Sequence, residues 1–176
     1  MSKSETALVG NLRRLYRSYG GFSAMLRSSY FWISVLFTGA CWRFTTSEKW
    51  VEIAQVVLPA MAGFSIAAYA VFFAVLSEND RAALMGPAES LGGRSPLLAL
   101  ASSVSHAVVI QVIALLWSVL YAAKPLPILC SLENVAVKIN IAGGAFGILL
   151  LVYGIVLVLG AVLSIFRLLE IRTSIG

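Results

Sequence analysis

Between Glu52 and Glu78 the chain carries no charged side chain. The same holds from Arg94 to Lys124, apart from the single His106, and from Lys138 to Arg167. Each run exceeds the ~20 helical residues that cross ~30 Å of hydrocarbon at ~1.5 Å per residue. In lipid, backbone N–H and C=O groups must pair within their own segment, and the absence of period-2 alternation argues against β-barrel strands. The runs therefore predict membrane-spanning helices over 53–77, 96–123 and 138–166. Composition agrees: 60% of the 176 residues are apolar and 12% charged, where a soluble domain carries about a quarter charged. That excludes an ordinary soluble enzyme and a disordered chain alike.

A shorter neutral stretch lies between Arg27 and Arg43. As a helix it covers only part of the hydrocarbon, so two readings compete. Both arginines snorkel to opposite interfaces and the segment spans over about 28–45, or the segment is re-entrant. We read it as a span, because arginine near a helix end costs far less than at its centre, and because Tyr30, Trp32 and Trp42 suit the interfaces. Four spans put both termini on one face. That face then holds Lys3, Arg13, Arg14, Arg17, Arg27, Arg81, Arg94, Arg167 and Arg172 of the 13 basic residues, and the other holds Arg43, Lys49, Lys124 and Lys138. By the positive-inside rule the termini are expected in the cytoplasm and the protein in a cell's inner membrane. No signal-peptide cleavage pattern follows the first apolar segment.

Ahead of that segment, Leu8, Leu12, Leu15, Tyr16 and Tyr19 recur at helical spacing, flanked by Arg13, Arg14 and Arg17 and stopped by Gly20-Gly21. This predicts an amphipathic interfacial helix over about 5–19, its arginines on anionic lipid; docking to a cytoplasmic partner is the alternative. The basic excess, a net +5, clusters beside apolar runs, so lipid rather than nucleic acid is the expected partner. Ser95-Pro96 reads as an N-cap with proline at the first helical position. Pro59 frees a carbonyl near Gln55 and predicts a bend. The cytoplasmic loop 78–95 has room for one or two helical turns.

Chemistry needs polar groups placed together, and few exist here. No zinc, nucleotide or serine-nucleophile motif is present, and no carboxylate lies within the long runs. We therefore expect no enzyme activity, no cofactor and no metal. Ser102, Ser103 and His106 share one helical sector near the bilayer midplane. They bond helix to helix, line a wet cavity, or sense pH through the imidazole; Gln111 projects roughly the other way. Gly143, Gly147 and Gly154 share a face suited to close helix packing, within the chain or between copies. Cys41 and Cys130 fall on the same outer face and form a candidate disulfide.

The segment from Pro59 through Gly63-Phe64-Ser65 to Tyr69, ending in Ser77-Glu78-Asn79-Asp80-Arg81, resembles small uncharacterised bacterial membrane proteins with a Pro-x-x-x-Gly-Phe-Ser helix. The resemblance implies an all-α four-span bundle and no activity; Gly63 is expected to give room for packing beside Pro59. Two functions follow from the residues. One is a non-enzymatic homo-oligomeric pore, or the membrane effector of a partner-controlled, defence- or toxin-like system. The other is an accessory or scaffold subunit docking a larger enzyme or transporter. An independent transporter is disfavoured by the lack of an inverted repeat.

Overall fold

The computed structural model describes residues 3–88, 93, 95–123 and 133–175. Its elements are α1 (Lys3–Tyr19), α2 (Gly21–Arg27), α3 (Ser29–Ala40), a 3-10 turn (Trp42–Phe44), α4 (Lys49–Val75), α5 (Glu78–Met85), α6 (Pro96–Ala122) and α7 (Glu133–Ile175). No strand occurs among the described residues. Helices α4, α6 and the Val135–Phe166 part of α7 are each long and apolar enough to cross a membrane; α3 is apolar but shorter.

The long helices overrun the neutral runs that announce them. Helix α4 begins at Lys49, before Glu52, and α7 starts at Glu133, before Lys138, and continues past Arg167. Charge marks where a helix leaves hydrocarbon, whereas the backbone ladder continues as long as its own N–H and C=O groups pair. Helix α6 does start where its sequence says. The Ser95 hydroxyl accepts from the Leu98 N–H at 3.3 Å, and Pro96 occupies the first turn. Helix α4 runs unbroken through Pro59.

The turn between α4 and α6 is closed by short polar contacts. Ser77 and Asp80 form a reciprocal capping box at the start of α5, which satisfies two of the orphan donors of a helix N-terminus. Arg81 Nη2 donates to the Phe73 carbonyl at 3.1 Å, and its guanidinium lies 4.5 Å from the Phe73 ring centre. Ser95 Oγ donates to the Leu84 carbonyl at 2.9 Å, tying the end of α5 to the start of α6.

Helix α6 is the centre of the bundle, packed against α4, α7, α1 and α5. It runs antiparallel to α7: Tyr121 reaches Asn140, Trp117 reaches Gly143, and Gln111 reaches Gly154. Toward one end, Trp50, Val51, Ala54 and Leu58 of α4 pack with Ala114 of α6 and Ile148, Leu150 and Leu151 of α7. Toward the other, Phe72 and Leu76 meet Leu84, Leu97, Leu100, Val104 and Ala161. Helix α3 lies along α7 in the opposite sense, with Tyr30 beside Gly160 and Thr45, after the 3-10 turn, on Gly144.

Most hydroxyls inside the bundle turn back on their own helix. Ser34 bonds to Tyr30, Thr38 to Ser34, Ser65 to Met61, Ser118 to Leu115 and Ser164 to Gly160, each through the backbone carbonyl. A buried hydroxyl satisfied this way costs little in an apolar surround but adds nothing between helices.

Candidate functional site

Of the polar sector expected on α6, His106 lies in a buried cluster. His106 is 1% exposed, and its Nε2 lies 3.2 Å from the Tyr153 hydroxyl of α7. The Tyr19 ring of α1 stacks on the imidazole, with centroids 4.1 Å apart and planes at 24°. Tyr16, one turn earlier, meets it edge-on at 6.0 Å. Tyr153 is edge-on to Phe31 of α3 at 5.9 Å, and Tyr19 and Tyr153 also interact through their side chains. Burial, the largest influence on Tyr19, holds its phenol above the ordinary range, so it enters the cluster as a neutral hydroxyl. The result is an imidazole enclosed by tyrosines from two other helices, with Met25, Phe31, Ala107, Ile110 and Leu157 clustered with Tyr153.

Ser102, predicted to share the His106 sector, is buried, and its hydroxyl bonds to the Ala99 carbonyl one turn back. Ser103 is half-buried. Gln111 is 1% exposed on another side of α6, where Nε2 donates to the Gly154 carbonyl at 3.0 Å and Oε1 has no partner. His106 and Gln111 thus bond to two neighbouring residues of α7, Tyr153 and Gly154. Tyr153 was not singled out by sequence reasoning, and Tyr19 was read only as part of the apolar stripe of α1. The usable signal for Tyr153 was a lone phenol within a neutral run, since a buried hydroxyl must find a partner.

The glycine face of α7 is filled from within the chain. A Cβ at Gly143 would lie 3.6 Å from the Tyr121 ring, and one at Gly154 3.2 Å from Gln111 and 3.3 Å from Leu58. At Gly147 it would enter the Trp50 ring, at Gly144 the Thr45 backbone, and at Gly160 it would lie 3.2 Å from Tyr30. Trp117 Nε1 donates to the Gly143 carbonyl at 2.9 Å. Gly63 differs: nothing lies within 4 Å of a Cβ built there. The room expected beside Pro59 is open, on the outer face of α4 with exposed Val56 and Phe64.

Cys41 is half-buried against the cluster around Trp50, while Cys130 lies outside the described residues. Arg13, Arg14 and Arg17 are exposed on α1. The stripe predicted to lie in the leaflet is divided: Tyr16 and Tyr19 are turned to the bundle, while Leu12 stays exposed. No group of three or more metal-ligating side chains occurs among the described residues. Comparison of the chain with protein-family models, with characterised proteins and with solved structures gives no match.

Proposed function

We propose that this chain is a non-enzymatic four-span subunit of a partner-controlled membrane system, working through its outer surfaces rather than as a conduit through its own bundle. The observation that carries this reading is the enclosure of His106, the polar group best suited to line a pore, which is buried and bonded to Tyr153. A charged or hydrated pathway needs a wet polar wall, and this wall is occupied by tyrosines.

The fourth crossing is supported by lengths. Twelve residues of α3 at ~1.5 Å and three of the 3-10 turn at ~2.0 Å give about 24 Å. The partners of its two ends, Gly160 and Gly144, are also about 24 Å apart along α7. That is most of the ~30 Å of hydrocarbon, with Arg27 and Arg43 at the ends to make up the rest. Four crossings put the basic excess and both termini on the cytoplasmic face of an inner membrane.

A second reading, a pore between copies of the chain, has one observation in its favour. Ala60, Gly63, Ala67, Ala70 and Ala74 repeat at intervals of three and four on α4, and all are exposed, a pattern that permits close helix approach. Planar-bilayer recording of the purified chain tests both. Under the first reading no conductance develops. Single-channel currents that shift with His106→Ala overturn it, and currents that persist in His106→Ala but vanish in Gly63→Leu support the second.

A further inference from the structure

We propose that α1 is a hinged latch whose tyrosine face is contested by two seats, the His106–Tyr153 pair within the bundle and the anionic inner leaflet. The inference stands whether or not the bundle conducts. Three independent observations carry it.

The first is the seat. Tyr19 stacks on His106, and Tyr16 abuts its edge, so α1 supplies the cover that keeps the chain's only histidine at 1% exposure. The second is the hinge. Gly20 and Gly21 follow α1 with φ of 110° and 77°. Successive left-handed glycines are a joint that L residues rarely adopt and that can re-form in many geometries. The third is the mismatch between the two faces of α1. From Pro96 to His106 is ten residues, about 15 Å along α6 from its first turn. Arg17, two residues from Tyr19, is drawn toward that depth, where a charge is disfavoured. Val9 and Leu12 meanwhile stay exposed, at 62% and 38%. The docked helix thus satisfies its aromatic end and leaves its basic and N-terminal apolar residues without bundle partners.

Laid on the leaflet surface instead, α1 buries the stripe of Leu12, Leu15, Tyr16 and Tyr19 among acyl chains and sets Arg13, Arg14 and Arg17 at phosphate level. The two tyrosines cannot serve both positions at once. Three arginines, at the usual attraction of an anionic surface, bias the balance toward the leaflet by about a hundredfold relative to neutral lipid. Lipid charge therefore sets how often His106 is uncovered.

The single histidine gives a one-site readout. The purified full chain is reconstituted into vesicles of phosphatidylcholine alone, or of phosphatidylcholine with phosphatidylglycerol, and treated with diethylpyrocarbonate. Modification of the His106 peptide is followed by mass spectrometry against the detergent-denatured chain. The expected result is strong protection in neutral vesicles and modification at least about tenfold faster in anionic ones. Tyr16→Ala/Tyr19→Ala is fast in both, and Arg13→Gln/Arg14→Gln/Arg17→Gln, which leaves the aromatic seat intact, is slow in both. Equal rates for the unmodified chain in the two lipids overturn the proposal without recourse to any variant. So does an arginine variant that still opens in anionic lipid.

Discussion

Adjacent glycines on α7 make opposite demands on a methyl group, and the contrast can be measured. A Cβ on Gly144 would lie 2.8 Å from the Thr45 carbonyl carbon and closer still to its oxygen. Ordinary contact begins at 3.4 Å, and the oxygen is the nearest atom, so the backbone after the 3-10 turn must retreat by more than about 1 Å, at or above the usual cost of overpacking a filled interior. That retreat strains the bond the Tyr121 hydroxyl donates to the Thr45 carbonyl at 3.2 Å. Overpacking costs about 1–3 kcal/mol and a lost hydrogen bond about 1, offset by up to ~1 for replacing glycine inside a helix. Gly144→Ala is therefore expected to destabilise by at least about 2 kcal/mol. Gly143→Ala meets only ordinary contacts with Tyr121 at 3.6 Å and Trp117 at 3.8 Å, and is expected to be neutral or stabilising by up to ~1 kcal/mol. Reversible unfolding in mixed micelles, titrating dodecyl sulfate against dodecyl maltoside and following circular dichroism, gives both values. Equal stability of the two variants, or the reverse order, would refute the α3–α7 packing on which the reasoning rests.

Gln111→Leu exchanges one bond to Gly154 and one buried orphan oxygen for apolar packing; the expected change is between zero and ~1 kcal/mol of added stability in the same titration, and a loss above ~2 would show that Oε1 has a partner. Arg81→Ala removes the bond to the Phe73 carbonyl and the cation–π contact, so a loss of about 1–2 kcal/mol is expected, together with faster proteolysis of the α4–α6 connection in sealed vesicles opened to the protease. Gly63→Ala, with no neighbour to displace, is expected to be as stable as the parent or up to ~1 kcal/mol better; marked destabilisation would indicate another helix against α4.

Charge-free length was enough to find α4, α6 and α7, because lipid tolerates no other element there. Ser95-Pro96 disclosed the start of α6 through local chemistry alone. The far ends of α7 were hidden, since a helix leaving the membrane through Lys138 or Arg167 changes solvent and not backbone. The glycines at 143, 147 and 154 announced close approach but not what approaches, and Gly144 and Gly160 went unnoticed because their neighbours, Thr45 and Tyr30, lie far off in sequence. His106 was visible as a candidate, yet its partners could not be read. One sits 47 residues away on α7, and the other belongs to a stripe that equally suits a lipid surface. Amphipathicity records that a face is apolar and does not name its cover.

The placement of α6 has a consequence for synthesis. Each hydrogen bond described above that joins two long helices joins α6 to α7: His106 with Tyr153, Gln111 with Gly154, Trp117 with Gly143, Tyr121 with Asn140. Both partners of every such bond lie in the second half of the polypeptide, so the first half leaves the ribosome before any of them exists. Its early segments wait in the insertion machinery or adrift in the bilayer, and these fastenings can form only when the last helix, α7, has been translated.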